Sequence, residues 1–111
     1  MARISTHVLD IAKGAPAAGI TVELHSADAL IHSCSTNCDG RTDAPLLASD
    51  RIPAGPYDIV FHVGDYLRAE RPGETPFYDR IAIRFVVSDG TGHYHVPLLL
   101  AAHGYSTYRG S

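Results

Sequence analysis

Apolar and polar residues alternate with a period of two in several short stretches of the chain, and these stretches are rich in β-branched and aromatic side chains. Ile81, Ile83, Phe85 and Val87 fall on one side of such a stretch, with Ala82, Arg84, Val86 and Ser88 on the other, so one face is directed at a core. The pattern predicts strands over Ile4 to Leu9, Ile20 to His25, Leu30 to Ser35, Tyr57 to Val63, Ile81 to Val87, His93 to Leu100, and Tyr105 to Arg109. Clusters of Gly, Pro, Asp and Asn separate them, as turns require. The spacing changes between Gly64 and Arg71, where Tyr66, Leu67, Ala69 and Glu70 suit a short helix stopped by Pro72-Gly73. Pro45, Pro53, Gly55 and Pro56 break the stretch after Arg41, so any strand there is short or lies at an edge. This pattern predicts an all-β sandwich of two sheets with one short helix.

A chain of 111 residues suits a single domain spanning 1–111. With 45% hydrophobic and 19% charged residues it has the composition of a soluble globular protein rather than a disordered one. A domain this small leaves much surface exposed, which favours association. The net charge of -3 and the lack of any Lys/Arg run argue against a nucleic-acid partner. Met1 to His7 leads straight into strand-like sequence with no apolar span, so neither a membrane segment nor a secretion signal is expected, and the expected location is cytoplasmic. Cys34 and Cys38 lie too close in one short segment to frame a secreted scaffold, and free thiols are expected.

Seven histidines make imidazole chemistry the first feature to weigh, since this side chain titrates nearest neutrality. His25, His32, His62 and His103 have an ordinary reading as partly exposed strand or loop residues. His7 shares a face with Ser5 and Leu9, opposite Ile4 and Val8. His93 and His95 point the same way, with Tyr94 and Val96 opposite. Arg41 follows Asp39-Gly40, a strong turn signal that puts its fork of donors at a strand start, in reach of an anionic or polarised oxygen. Taken alone, each of these residues also reads as a solvated surface group. The terminal Tyr105 to Ser111 carries two Tyr, two Ser, a Thr and an Arg directly after an apolar run, which a frayed tail does not need.

Together these segments form an ordered set. Ser5-Thr6-His7-Val8-Leu9-Asp10 with Gly14 and Pro16-Ala17, then Thr36-Asn37-Cys38-Asp39-Gly40-Arg41, then His93-Tyr94-His95-Val96-Pro97-Leu98-Leu99-Leu100, then Tyr105-Ser106-Thr107-Tyr108-Arg109-Gly110-Ser111 resemble the signature segments of 5-hydroxyisourate hydrolases of the transthyretin-like family. The resemblance runs from Ile4 to Ser111. Two places depart from the usual pattern, Phe77-Tyr78-Asp79-Arg80 and Ala101-Ala102, and neither falls on a matched site position.

The resemblance implies the transthyretin sandwich of two antiparallel sheets with a helix near Asp65 to Glu70, assembled as a homotetramer built from a dimer of dimers. It implies active sites in the channel between dimers, with His7, Arg41 and His95 as catalytic residues and Tyr108, Ser111 and His93 as substrate-binding or supporting ones. His93 would either fix the tautomer of His95 or support packing. Neither a cofactor nor a metal is implied, and the sequence has no further carboxylate or Cys ligand at recognisable metal-site spacing. The implied reaction is addition of water to the C6 carbonyl of 5-hydroxyisourate and cleavage of the N1–C6 amide bond. The competing reading is a small-molecule carrier of the transthyretin type, because one fold hosts unrelated functions. His7, Arg41, His95 and the Tyr-Arg-Gly-Ser end favour the hydrolase over the carrier and over a generic adhesive sandwich.

Overall fold

The computed structural model describes residues 1–111. Its strands are β1 (Ala2–Asp10), β2 (Ala15–Pro16), β3 (Thr21–Ser26), β4 (Ala29–Ser35), β5 (Leu47–Ser49), β6 (Gly55–His62), β7 (Arg80–Val87), β8 (His93–Leu100) and β9 (Tyr105–Thr107), and its one helix is α1 (Val63–Glu70). The first sheet runs β2-β1-β8-β9, with β5 also on β1, and the second runs β4-β3-β6-β7. Alternation directs Ile4 and Val8 of β1, Val22 and Leu24 of β3, Ile59 and Phe61 of β6, and Leu98 and Leu100 of β8 into one shared core. The two sheets and short helix are as the hydrophobic pattern predicts. The first sheet is mixed rather than wholly antiparallel, because β1 and β8 pair parallel from Arg3↔His93 to Asp10↔Leu100. A parallel neighbour needs a long crossover, and here the whole second sheet supplies it.

Three smaller differences have local causes. The strand predicted over Tyr57 to Val63 gives way to α1 at Val63. The last predicted strand is regular only over Tyr105–Thr107, after which the chain returns to β8 at a single bridge, His95↔Gly110. β2 has two residues and β5 three, too short for an alternation pattern to register. Cys34 and Cys38 are free thiols.

β1 organises its sheet because both its edges are used. One edge carries β8. The other is shared: β5 covers Ala2 to Ile4, β2 covers Leu9 and Asp10, and the space between them is filled by the turn ending at Arg41. Asp10 secures the end of the strand. Its carboxylate accepts from Ala12 N at 3.0 Å, Lys13 N at 3.1 Å and the Tyr66 hydroxyl of α1 at 2.7 Å. Burial against Asp10 pushes the Tyr66 phenol well above its usual range, so it stays a donor.

Candidate active site

The edge of β1 left open between β5 and β2 determines where Arg41 sits. Asn37 builds the turn: its Oδ1 accepts from Asp39 N at 2.9 Å and Arg41 N at 3.2 Å, while its backbone N donates to Arg41 O at 2.7 Å. Gly40 lies at φ +73°, and a Cβ there would collide with Val8 O, so the turn seats on β1 only with glycine. Seated, it bonds Val8 N to Gly40 O at 2.8 Å and brings Arg41 opposite His7. The same turn holds the histidine, whose Nε2–H donates to Asp39 O at 3.1 Å.

Side chains of neighbouring residues in a sheet share a face, so the registers define a patch. Arg3, Ser5 and His7 alternate along β1, with Ile4, Thr6 and Val8 buried behind them. Across β8 the partners are His93, His95 and Pro97. The outward face therefore gathers Arg41, His7, Ser5, His95 and Arg3. Thr6 locks the pair of strands from behind, donating to Val96 O at 2.6 Å.

His95 is the most constrained of these. Ser5 Oγ and His95 Nδ1 share a hydrogen bond of 2.9 Å. On the far side Gly110 N donates to His95 O at 2.8 Å, and a Cβ at Gly110 would lie 2.5 Å from His95 Cδ2. The imidazole is partly buried, and burial first, then the positive charge of Arg41, His7 and Arg3, holds its pKa below the usual histidine value. At neutral pH it is a neutral ring able to accept a proton. Neither Arg3 nor Arg41 has a carboxylate partner. Both line a cavity of about 220 Å³ with Ser5, Thr42, Asp43 and Ala44. A larger open depression of about 490 Å³, between Arg51–Ala54 and Ser88–Gly90, holds none of the predicted site residues.

The structure thus brings together His7, Arg41 and His95. His93 lies on the same face, but its Nε2–H donates to Met1 O at 2.8 Å, and it is Ser5 that reaches His95 Nδ1. Tyr108 is 56% exposed and borders an apolar cavity of about 160 Å³ with Ile83, Phe85, Tyr94 and Val96, while Ser111 is exposed; neither side chain bonds to the histidines within the protomer. Ser5 and Arg3 are the site residues that the motifs did not single out for chemistry. The alternation that places His7 outward places both of them beside it.

The sequence model of the HIUase/Transthyretin family matches residues 4–110. The chain belongs to that family. Within it, the chain is 49% identical to the 5-hydroxyisourate hydrolase of Mesorhizobium japonicum, over 98% of this chain and 92% of the relative. Among solved structures of the family, the 5-hydroxyisourate hydrolase of Klebsiella pneumoniae superposes with a TM-score of 0.86 at 39% identity, with both chains covered in full. Transthyretin from Sparus aurata superposes with a TM-score of 0.84 at 28% identity, covering 97% of this chain and 96% of its own. The two relatives described as hydrolases are thus nearer in sequence than this transthyretin, although the folds agree almost equally well.

Proposed function

We propose that this chain is a 5-hydroxyisourate hydrolase, acting in purine breakdown as a single domain assembled into a cytoplasmic homotetramer. One observation carries the reading. A neutral, partly buried imidazole, His95, shares one face of the sheet with two cavity-lining arginines that have no carboxylate partner and with a second histidine. Hydrolysis of a cyclic amide needs a base for water, a stabiliser for the oxyanion and a proton for the departing nitrogen, and this group supplies all three.

In this mechanism His95 Nε2 takes a proton from water as the oxygen adds to C6 of the substrate. Arg41 holds the C6 oxygen as it becomes anionic, an interaction worth about 3 kcal/mol once the channel between dimers shields it from water. His7, with Nε2–H committed to Asp39 O, delivers a proton from Nδ1 to N1 as the N1–C6 bond breaks, and the proton that His95 took from water returns to His7 through solvent, so both imidazoles end as they began. Water is consumed, the ring opens to 2-oxo-4-hydroxy-4-carboxy-5-ureidoimidazoline, and no covalent enzyme intermediate forms. Tyr108 and Ser111 enter as substrate-orienting groups in the channel between dimers, with His93 supporting the same face. Identity to the two hydrolases named above supports this reading over a carrier.

The test generates 5-hydroxyisourate from urate with urate oxidase and follows its ultraviolet decay with added protein. Acceleration by wild type, lost in His7→Ala, Arg41→Ala and His95→Ala variants that still assemble, is the expected result. A folded wild type that leaves the spontaneous decay unchanged would overturn the proposal.

A further inference from the structure

We infer that Ser5 is a positioning residue for the reaction, orienting the His95 ring through Nδ1 so that Nε2 is the nitrogen presented to water. The inference rests on the hydrolase reading above. It starts from the register: β1 and β8 run parallel, and Ser5 lies directly opposite His95. That pairing brings Ser5 Oγ to 2.9 Å from Nδ1, and this is the hydroxyl's one hydrogen bond. Nε2 makes no hydrogen bond within the protomer. The ring cannot turn away towards β9, because Gly110 packs against its Cδ2 edge.

A hydroxyl suits this position better than the carboxylate more often found behind a catalytic histidine. Serine both donates and accepts, so it keeps its bond to Nδ1 whether that nitrogen carries a proton or a lone pair. A carboxylate would stabilise imidazolium and raise the basicity of a group whose surroundings are arranged the other way. The charged and titratable groups nearest the ring are Arg3 and His7 from β1 and Arg41 beyond them. His93 shares its strand, and on the β9 side the guanidinium of Arg109 rests over the Tyr94 ring, 4.6 Å from its centroid, on the opposite face. The charges that act on the ring are positive, and Asp43, which lines the cavity with Arg3, Ser5 and Arg41, is a carboxylate on that side that does not offset them. When Nε2 takes its proton, the Nδ1–H bond to Ser5 Oγ is the interaction that strengthens in the cationic ring.

Removing the hydroxyl therefore has two expected effects. The ring loses its orientation, which lowers turnover more than substrate affinity. The imidazolium loses an acceptor, so the His95 pKa falls further and the acid limb of the pH profile moves to lower pH.

The experiment compares wild type, Ser5→Ala and Ser5→Thr, all shown to assemble alike, by steady-state hydrolysis across pH and by nitrogen NMR of the His95 imidazole. Support takes the form of a roughly tenfold lower kcat with KM within about twofold in Ser5→Ala, an acid limb displaced downward, a changed Nδ1 resonance, and recovery of kcat, acid limb and resonance in Ser5→Thr. Full activity in Ser5→Ala, or an unchanged Nδ1 resonance, would overturn the positioning role and leave the hydrolase reading standing. A wild type without activity would overturn the reading beneath it, and the NMR comparison, which needs no turnover, tells the two failures apart.

Discussion

On one sheet His7 and His95 sit among guanidinium groups; on the other His25 and His62 close on a single carboxylate. Glu23 Oε1 accepts from His25 Nε2 at 2.8 Å and Oε2 from His62 Nε2 at 3.0 Å, on the outward face of β3 and β6. These hydrogen bonds, that from His25 first, hold the Glu23 carboxyl below its usual range. Beside them Arg84 grips Asp58 through two bonds of 3.0 and 2.8 Å. Glu23, Asp58 and Arg84 on that face are all partnered, whereas Arg3 and Arg41 on the other have no carboxylate partner. The same residue type thus serves two purposes. Imidazole next to a carboxylate is satisfied and joins strands, whereas His95, next to unpaired cations, is kept neutral.

The contrast can be broken most severely at His95. His95→Ala should lower turnover by roughly 10²–10⁴-fold, the range for loss of a positioned base, with little change in the denaturation midpoint. Arg41→Gln comes next, with a loss on the order of 10²–10³-fold in kcat. It also removes positive charge from beside His95, so the His95 pKa should rise and the acid limb of any residual activity should move to higher pH, opposite in sign to Ser5→Ala. Gly110→Ala should push the imidazole off its position and cost up to about 10²-fold, read by steady-state kinetics on protein of unchanged assembly. The smallest effect is expected on the other sheet. Glu23→Gln should leave turnover at the wild-type level and reduce stability at pH 7 by about 1 kcal/mol or less, since the group is partly exposed. The folded-state pKa of Glu23 is depressed, so its contribution is present above the unfolded value of about 4.3 and is lost as pH falls through the folded value. Denaturation midpoints of wild type and Glu23→Gln should therefore converge in acid.

The sequence made the patch legible where its residues lie close together or alternate. His7 with Ser5 and His93 with His95 follow from the period of two, and the turn at Arg41 follows from Asp39-Gly40. What it did not show are relations across the chain. Nothing local reveals that β1 pairs parallel with β8, so Ser5 and His95, ninety positions apart, could not be recognised as bonded. His62 carried an ordinary surface reading because only β3–β6 pairing, with Thr21 opposite His62, brings it to Glu23, whereas the Glu23–His25 contact is local to β3. The tail read as functional from composition, and Gly110 supplies part of the reason, since it is the residue whose lack of a side chain admits the His95 ring. The two-residue β2 escaped notice because two residues cannot display a period, while β5 is the short strand that the prolines after Arg41 allowed for.

The parallel pairing of β1 with β8 also governs how the molecule comes into being. Residues 3–10 are made early and have no inner-edge partner until residues 93–100 exist. On a ribosome the second sheet, with β3, β4, β6 and β7 all nearest neighbours through antiparallel pairs, can close well before the first. Until then β1 waits with an apolar face and one unpaired edge, a risk for misassembly that its early partners β2 and β5 reduce by covering the other edge. The patch of His7, Arg41 and His95 is thus the last part of the protomer to come together, so a partly made chain has His7 in place without His95 beside it.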